Sequence, residues 1–183
     1  MRDDLPRPTG PPSPASAAGF EALYQAELPR IYNYFRYRLG DGPEAEDLTA
    51  ETFEKAWRHR GRYRRDLAAF STWLFTIARR VAADHYRRSR RDATRSPNEG
   101  SPESDLIEGH VERRLDLAHL SALLSELPER ERELIALKYG GGLTHPVIAA
   151  LTGLSQSNVG VILYRTVEKL RHQWEKTPWT TNS

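Results

Sequence analysis

A dense run of basic side chains marks the middle of the 183-residue sequence. Residues 54–95 hold 13 Lys and Arg but only 4 Asp and Glu, a local net charge of +9. At helical spacing, most arginines near the end of this run fall on the side opposite Phe70, Trp73 and Leu74. A helix with one packed face and one cationic face suits a phosphate backbone, since each contact releases condensed counterions, and nearby tyrosines can stack on unpaired bases. We therefore expect nucleic-acid binding here, with a merely solvated helix face as the alternative.

A second candidate site is a turn between two apolar segments in the last third of the chain. Ala149, Gly153 and Val159 have the spacing at which a helix-turn-helix needs a small residue, a flexible turn and a buried branched residue. Ser155 can cap the second helix, whose N-terminus would then face the DNA major groove, where Gln and Asn pair with adenine. The residues at that N-terminus are Gln156, Ser157 and Asn158. The alternative is an ordinary helical hairpin.

The sequence contains little that supports catalysis or metal binding. With no cysteine there is no disulfide, thiolate zinc site or cysteine nucleophile. The six histidines show no metal-ligand spacing, and the three glycines at 140–142 lack the Lys and the preceding strand of a phosphate-binding loop. We expect no cofactor, no metal site and no catalytic residue.

The elements that position these candidate sites are predicted to be helices. Apolar residues recur at steps of three and four, and no run alternates between apolar and polar residues. Three apolar stripes between residues 20 and 81 predict a small bundle, with Pro29 breaking or kinking the first helix. Four more helices are expected after residue 110, and the glycines at 140–142 are interpreted as a helix stop. The predicted fold class is all-α.

Two Pro- and Gly-containing stretches divide the chain into two small helical domains. Residues 1–18 carry five of the 12 prolines and predict a disordered leader, and residues 93–110 predict a flexible linker. The expected domains are residues 19–92 and 111–176, followed by a tail at 177–183. No apolar run approaches the roughly 18 residues of a membrane span, and no signal core is present, so we expect a cytoplasmic protein without membrane insertion.

Two sets of motifs carry a family resemblance. Residues 44–57 (Glu-Ala-Glu-Asp-Leu-Thr-Ala-Glu-Thr-Phe-Glu-Lys-Ala-Trp), with 70–80 and 84–88, resemble region two of bacterial sigma factors. Residues 127–132 (Leu-Pro-Glu-Arg-Glu-Arg) and 148–171 resemble their region four. The brevity of the chain is similar to that of the extracytoplasmic-function (ECF) group of sigma factors.

The resemblance implies a non-catalytic initiation subunit. Such a protein binds core RNA polymerase, directs promoter recognition and −10 melting, and leaves the phosphodiester chemistry to the polymerase. The implied partners are the clamp coiled coil of the largest polymerase subunit, the flap of the second-largest subunit, and promoter DNA. It also implies an anti-sigma factor that holds the chain inactive until a signal arrives.

The resemblance further assigns residues to three surfaces. Those matching the polymerase-binding segment are Asp47, Leu48, Glu51 and Phe53. Those matching the −10 DNA-binding element are Arg62, Tyr63, Arg64, Arg65, Arg79, Arg80, Tyr86, Arg87 and Arg88. Those assigned to −35 DNA are Ser155, Gln156, Ser157, Asn158, Arg165, Lys169 and Arg171. The alternative for the acidic residues is that they favour the positive end of a helix dipole.

The sequence departs from the family pattern in both domains. Ala50 stands where the family commonly has Gln, and Gly160 and Ile162 stand where basic residues are usual. Residues 143–164 contain no Lys, Arg, Asp or Glu. We therefore expect weak −35 binding by the second domain, whose uncharged surface another protein could cover.

Two other classes of protein share parts of this pattern. A one-component regulator with a helix-turn-helix would bind duplex DNA as a dimer without polymerase. An interaction module with a weakened recognition helix would not read DNA at all. Polymerase-dependent transcription distinguishes the three.

Overall fold

The computed structural model describes residues 14–40, 42–93 and 111–176, and this part of the chain is helical without a strand. The predicted all-α class is confirmed. The linker and the tail lie outside the described residues, apart from residue 93, and so does the leader up to residue 13. The helices are α1 (Ala17–Leu39), α2 (Pro43–His59), α3 (Phe70–Ala93), α4 (Val111–Ser125), α5 (Glu129–Ile135), α6 (His145–Thr152) and α7 (Gln156–Lys176).

The first bundle consists of α1, α2 and α3. Helix α1 begins at Ala17, inside the expected leader, because Ser16 caps it: the Gly19 N–H donates to Ser16 Oγ at 3.1 Å. The helix continues through Pro29 to Leu39, so Pro29 does not end it. Pro43 occupies the first turn of α2, where a missing N–H costs nothing. The residues buried between the three helices include Ile31, Phe35, Leu48, Phe53, Leu74 and Val81.

The second bundle consists of α4 to α7 and contains the expected helix-turn-helix. Helices α6 and α7 meet at an angle of 105°, within the range of that motif. Gly153 ends α6 with φ +75°, a left-handed conformation that glycine adopts without strain. Ile148 and Val159 are fully buried on the two sides of the turn. The residue types at the turn therefore predicted its geometry.

The two bundles pack against each other through the glycines at 140–142. A π-helical turn, Ala136–Gly140, extends α5 and brings Gly140 against α1, where an added Cβ would lie 2.7 Å from the Asn33 carbonyl oxygen. A Cβ on Gly141 would lie 2.7 Å from the Phe75 ring, and Arg30 Nε donates to the Gly141 carbonyl at 2.9 Å. These glycines therefore permit close contact between the bundles as well as ending a helix.

Candidate nucleic-acid and polymerase interface

Helix α3 presents a row of arginines to solvent. Arg80 is exposed, and Arg87 pairs with Asp84 one turn away, which lowers the pKa of that carboxyl group through their hydrogen bond. Arg88 Nη2 lies 3.5 Å from Glu51 Oε2 of α2. Exposed ion pairs of this kind contribute little stability and are screened by salt. A phosphate can therefore replace the carboxylates, so this face remains a candidate DNA surface.

Arg79 was assigned to the same DNA surface but faces the second bundle. Its Nε donates to Glu133 Oε1 of α5 at 2.9 Å, and its side chain is only 26% exposed. The Arg38 Nη1 lies 3.2 Å from the same carboxylate oxygen. In this arrangement Arg79 is an interdomain residue, because packing places an acidic partner against it that sequence spacing does not reveal.

Arg38 is a buried charge that sequence reasoning missed. It donates to the Tyr34 hydroxyl at 3.1 Å, and its guanidinium lies 5.0 Å from the Tyr86 ring centroid. Burial opposes its charge, but Tyr34, Tyr86 and Glu133 outweigh this and raise the pKa of Arg38 above its usual value. Burial also raises the pKa of Tyr34 to about 12. The sequence does indicate that Arg38 is buried, because Arg38 continues the apolar stripe of Ile31 and Tyr34 at helical spacing.

Both tyrosines assigned to −10 DNA are partly buried against the first bundle. The Tyr63 hydroxyl donates to the Ala68 carbonyl at 3.0 Å, and its ring packs against Phe70 and Trp73 at centroid distances of 5.6 and 5.4 Å. The Tyr86 hydroxyl donates to the Arg38 carbonyl at 3.0 Å. Each ring is only partly exposed, and each hydroxyl already donates to a backbone carbonyl.

The loop between α2 and α3 instead presents an apolar residue and basic residues. Leu67 is 75% exposed and was not assigned from the sequence. Arg64 forms two hydrogen bonds to Asp66, at 3.0 and 2.8 Å, which lower the pKa of that carboxyl group. Arg62 and Arg65 are also exposed. The loop therefore offers both apolar and cationic contacts to a ligand.

The four residues assigned to polymerase binding divide into two pairs. Asp47 is exposed on α2, and Glu51 is 27% exposed and pairs with Lys55 at 2.7 Å. Leu48 and Phe53 are only 5% and 4% exposed. Leu48 fills the core beneath the helix and presents almost no surface to a partner, whereas Phe53 keeps a small exposed edge between α1 and α2. The surface available to a partner is the acidic one.

The N-terminus of α7 presents polar, uncharged side chains. Ser155 caps the helix, since the Asn158 N–H donates to Ser155 Oγ at 3.2 Å. Arg165 and Lys169 follow Asn158 at spacings of seven and four, on the same exposed face, whereas Arg171 pairs with Glu168. The remaining residues assigned to the N-terminus, Gln156 and Ser157, are exposed as well. This arrangement can read base edges while phosphates are contacted farther along the helix.

The residues that the structure describes also bear on metal binding and on membrane insertion. These residues contain no group of three or more His, Asp or Glu side chains that could hold a metal ion. Among them, no single helix has the length and apolar composition needed to cross a membrane, although α6 and α7 meet that test together as a bent pair.

The fold and its exposed surfaces define an all-helical DNA-binding protein with a basic bundle and a helix-turn-helix. The family model for Sigma-70 region 2 matches residues 23–92, and that for Sigma-70, region 4 matches residues 117–170. Together they cover well over half of the chain. The chain therefore belongs to the sigma-70 family of RNA polymerase sigma factors.

Its relatives place it in the ECF group. It is 32% identical to the ECF RNA polymerase sigma factor BldN of Streptomyces coelicolor, over 84% of this chain and 60% of that relative. The chain thus spans about three fifths of BldN. It is also 30% identical to the ECF RNA polymerase sigma factor SigL of Mycobacterium tuberculosis, over 86% of this chain and 89% of SigL.

Solved structures share the fold across both bundles. The sigma factor RpoE, in complex with the anti-sigma factor NepR from Bartonella quintana, matches with a TM-score of 0.70 at 22% identity, covering 87% of this chain and 98% of RpoE. CnrH, in complex with the cytosolic domain of CnrY, matches with a TM-score of 0.69 at 23% identity, covering 91% and 94%. At these identities the likeness is one of fold.

Proposed function

We propose that this chain is a cytoplasmic ECF sigma factor that binds core RNA polymerase and directs it to promoters, without catalytic residues of its own. One observation carries the proposal: a region-two bundle with an exposed basic face and a region-four helix-turn-helix with an exposed recognition helix occur in order in one chain. Residues 19–92 would bind polymerase and −10 DNA, and residues 111–176 would bind −35 DNA.

The −10 function is supported by the loop after α2 and the exposed face of α3. Arg62, Arg80 and Arg87 lie on accessible surface and would bind the phosphates of melted DNA. The exposed Leu67 would contact a base that leaves the stack. Because unpairing a base costs a few kcal/mol, several such contacts are needed to offset it.

The −35 function is supported by the N-terminus of α7. Gln156 and Asn158 can each pair with adenine through two hydrogen bonds in the major groove. Arg165 and Lys169 would contact phosphates, which position the helix without reading sequence. With few cations on this helix, binding would depend on polymerase holding both domains on the same promoter.

Polymerase binding is supported by the acidic surface of α2. Asp47 and Glu51 would contact the clamp coiled coil of the largest subunit, with Leu48 and Phe53 holding the helix from below. The second domain would contact the flap of the second-largest subunit.

The contact between the two bundles supports a form of regulation in which the bundles separate when the protein becomes active. Arg79 is paired with Glu133 of the second bundle, so the two bundles must separate before Arg79 can bind −10 DNA. An anti-sigma factor that favours the closed arrangement, in which the two bundles are in contact, would hold the protein inactive. The structurally similar sigma factor RpoE was solved in complex with an anti-sigma factor, NepR.

Run-off transcription of fragmented genomic DNA by bacterial core polymerase tests the function directly. With the protein present, we expect discrete transcript starts that share two sequence motifs upstream. A folded protein that yields no dependent starts, with a core that another sigma factor activates, would contradict the proposal. That result would favour a one-component regulator or an interaction module.

A further inference from the structure

An apolar groove of about 410 Å³ runs along the outside of the first bundle between α1 and α2. At one end the rings of Tyr24 and Phe53 pack edge to face with centroids 4.6 Å apart. The lining includes Ala50, whose side chain is short and exposed. The residues lining the groove are Tyr24, Leu28, Pro29, Tyr32, Glu46, Thr49, Ala50 and Phe53.

Grooves lined by aromatic rings bind proline-rich segments in a polyproline II conformation, which lose little entropy on binding. The sequence of this chain has a proline-rich segment a few residues before α1. Residues 5–12 read Leu-Pro-Arg-Pro-Thr-Gly-Pro-Pro and carry a single charged side chain, Arg7. Glu46 supplies an exposed carboxylate at the other end of the groove from Tyr24.

The position and length of this segment match the groove. The chain turns at residues 14–16, where Pro14 is buried, and α1 begins at Ala17. The groove extends along α1 from Tyr24 to Tyr32. At about 1.5 Å per helical residue, these positions lie roughly 10 and 22 Å beyond Ala17 along the helix axis. At about 3.1 Å per residue, a polyproline II segment running back from residue 13 covers that interval with residues near 6–10.

We propose that residues 5–12 of this chain bind in the groove between α1 and α2 of the same molecule, with Arg7 near Glu46. Pro8 then lies near Leu28 and across from Ala50, at the middle of the groove. The docked segment covers Ala50, which is flanked by Asp47 and Glu51. The leader and polymerase would therefore compete for one face of α2, a consequence that rests on the proposed function.

Disulfide trapping in the full chain tests the docking without polymerase. Because the chain has no cysteine, a variant with Pro8→Cys and Ala50→Cys contains a single reactive pair. The matched control combines Pro8→Cys with Glu44→Cys, an exposed position on the same helix that lies beside His85 of α3. Both acceptor positions are exposed, so both variants should fold, and helical circular dichroism verifies this.

We expect the Ala50→Cys pair to form its intramolecular disulfide at least tenfold faster than the Glu44→Cys pair. Replacing Pro6, Pro11 and Pro12 by Ser in the first variant should reduce that rate at least threefold, because polyproline II is lost. Equal rates at the two positions would overturn the proposal. Disulfides formed between molecules rather than within one would also overturn it, in favour of the leader of a second copy.

Discussion

Arg79 Nε lies 2.9 Å from Glu133 Oε1, so a side chain assigned to promoter DNA forms an ion pair with the second bundle instead. The same carboxylate oxygen is 3.2 Å from the buried Arg38. Glu133 thus neutralises two cations at the contact between the bundles. Removing one partner of a buried pair leaves an uncompensated charge. Loss of the Glu133 carboxylate should therefore weaken the contact between the two bundles.

Neutralising Glu133 is expected to release Arg79 for DNA. The Glu133→Gln variant should bind a single-stranded −10 oligonucleotide about fivefold more tightly than the unaltered chain, corresponding to ~1 kcal/mol. Fluorescence anisotropy at fixed salt measures this. The control is Glu131→Gln, the same charge change on the same helix at a residue without an ion pair to the other described residues. Equal effects of the two variants would mean that net charge alone is responsible.

Adding a methyl group at Gly140 is expected to destabilise the protein. The new Cβ would lie 2.7 Å from the Asn33 carbonyl oxygen, a backbone atom that cannot move without shifting α1. Overpacking of this kind costs about 1–3 kcal/mol, so the melting temperature should fall by roughly 2–10 °C. In the control Gly61→Ala the added Cβ meets nothing within 4 Å. Similar melting temperatures for both variants would contradict the close packing.

Reversing the charge at Asp47 is expected to weaken polymerase binding. The Asp47→Lys variant should lose about five- to tenfold in affinity for core polymerase, or ~1–1.4 kcal/mol. Glu44→Lys, an equal charge change on the same helix, is the control. Glu51 is less suitable, because it pairs with Lys55 and Arg88 and its reversal would also alter folding. Unchanged co-elution of Asp47→Lys with core would remove Asp47 from the interface.

Truncating Asn158 is expected to change sequence preference rather than general affinity. Loss of a two-hydrogen-bond contact to a base should cost about 1–3 kcal/mol of discrimination at one −35 position. Lys169→Ala is the contrasting variant, because loss of a phosphate contact weakens binding to all sequences alike. Promoter selection by the holoenzyme on a randomised −35 library measures both. If Asn158→Ala leaves the preference intact, base reading lies elsewhere on α7.

Alkaline pH is expected to destabilise the first bundle through Tyr34. Burial raises its pKa to about 12, above the usual value of 10. The folded state therefore holds this proton more tightly than the unfolded state does. The resulting stability is fully present below pH 10 and is lost as the pH rises towards 12, by roughly 2–3 kcal/mol. Urea unfolding of the unaltered chain and of Tyr34→Phe measures this, since the variant should show a smaller decline over that interval.

Much of the architecture and the outline of the sites followed from the sequence by itself. Helix periodicity predicted the elements, and the residues at the turn of the helix-turn-helix predicted its geometry. Ser155 and Gly153 act through hydrogen bonds and backbone angles within a few residues of their own positions. Patterns that depend on interactions within a few residues can be recognised in a single sequence, and so can the surplus of arginines along α3.

Only the tertiary structure decided which of these side chains are exposed to a partner or to DNA. Arg79 and Glu133 are 54 residues apart, and no local pattern joins them. Leu48, Phe53 and Tyr63 matched functional segments, yet their side chains pack inward. The glycines at 140–142 ended a helix as expected, but their contact with α1 depends on how the two bundles meet. Burial and long-range pairing arise from packing between distant segments, which helical spacing along one segment does not specify.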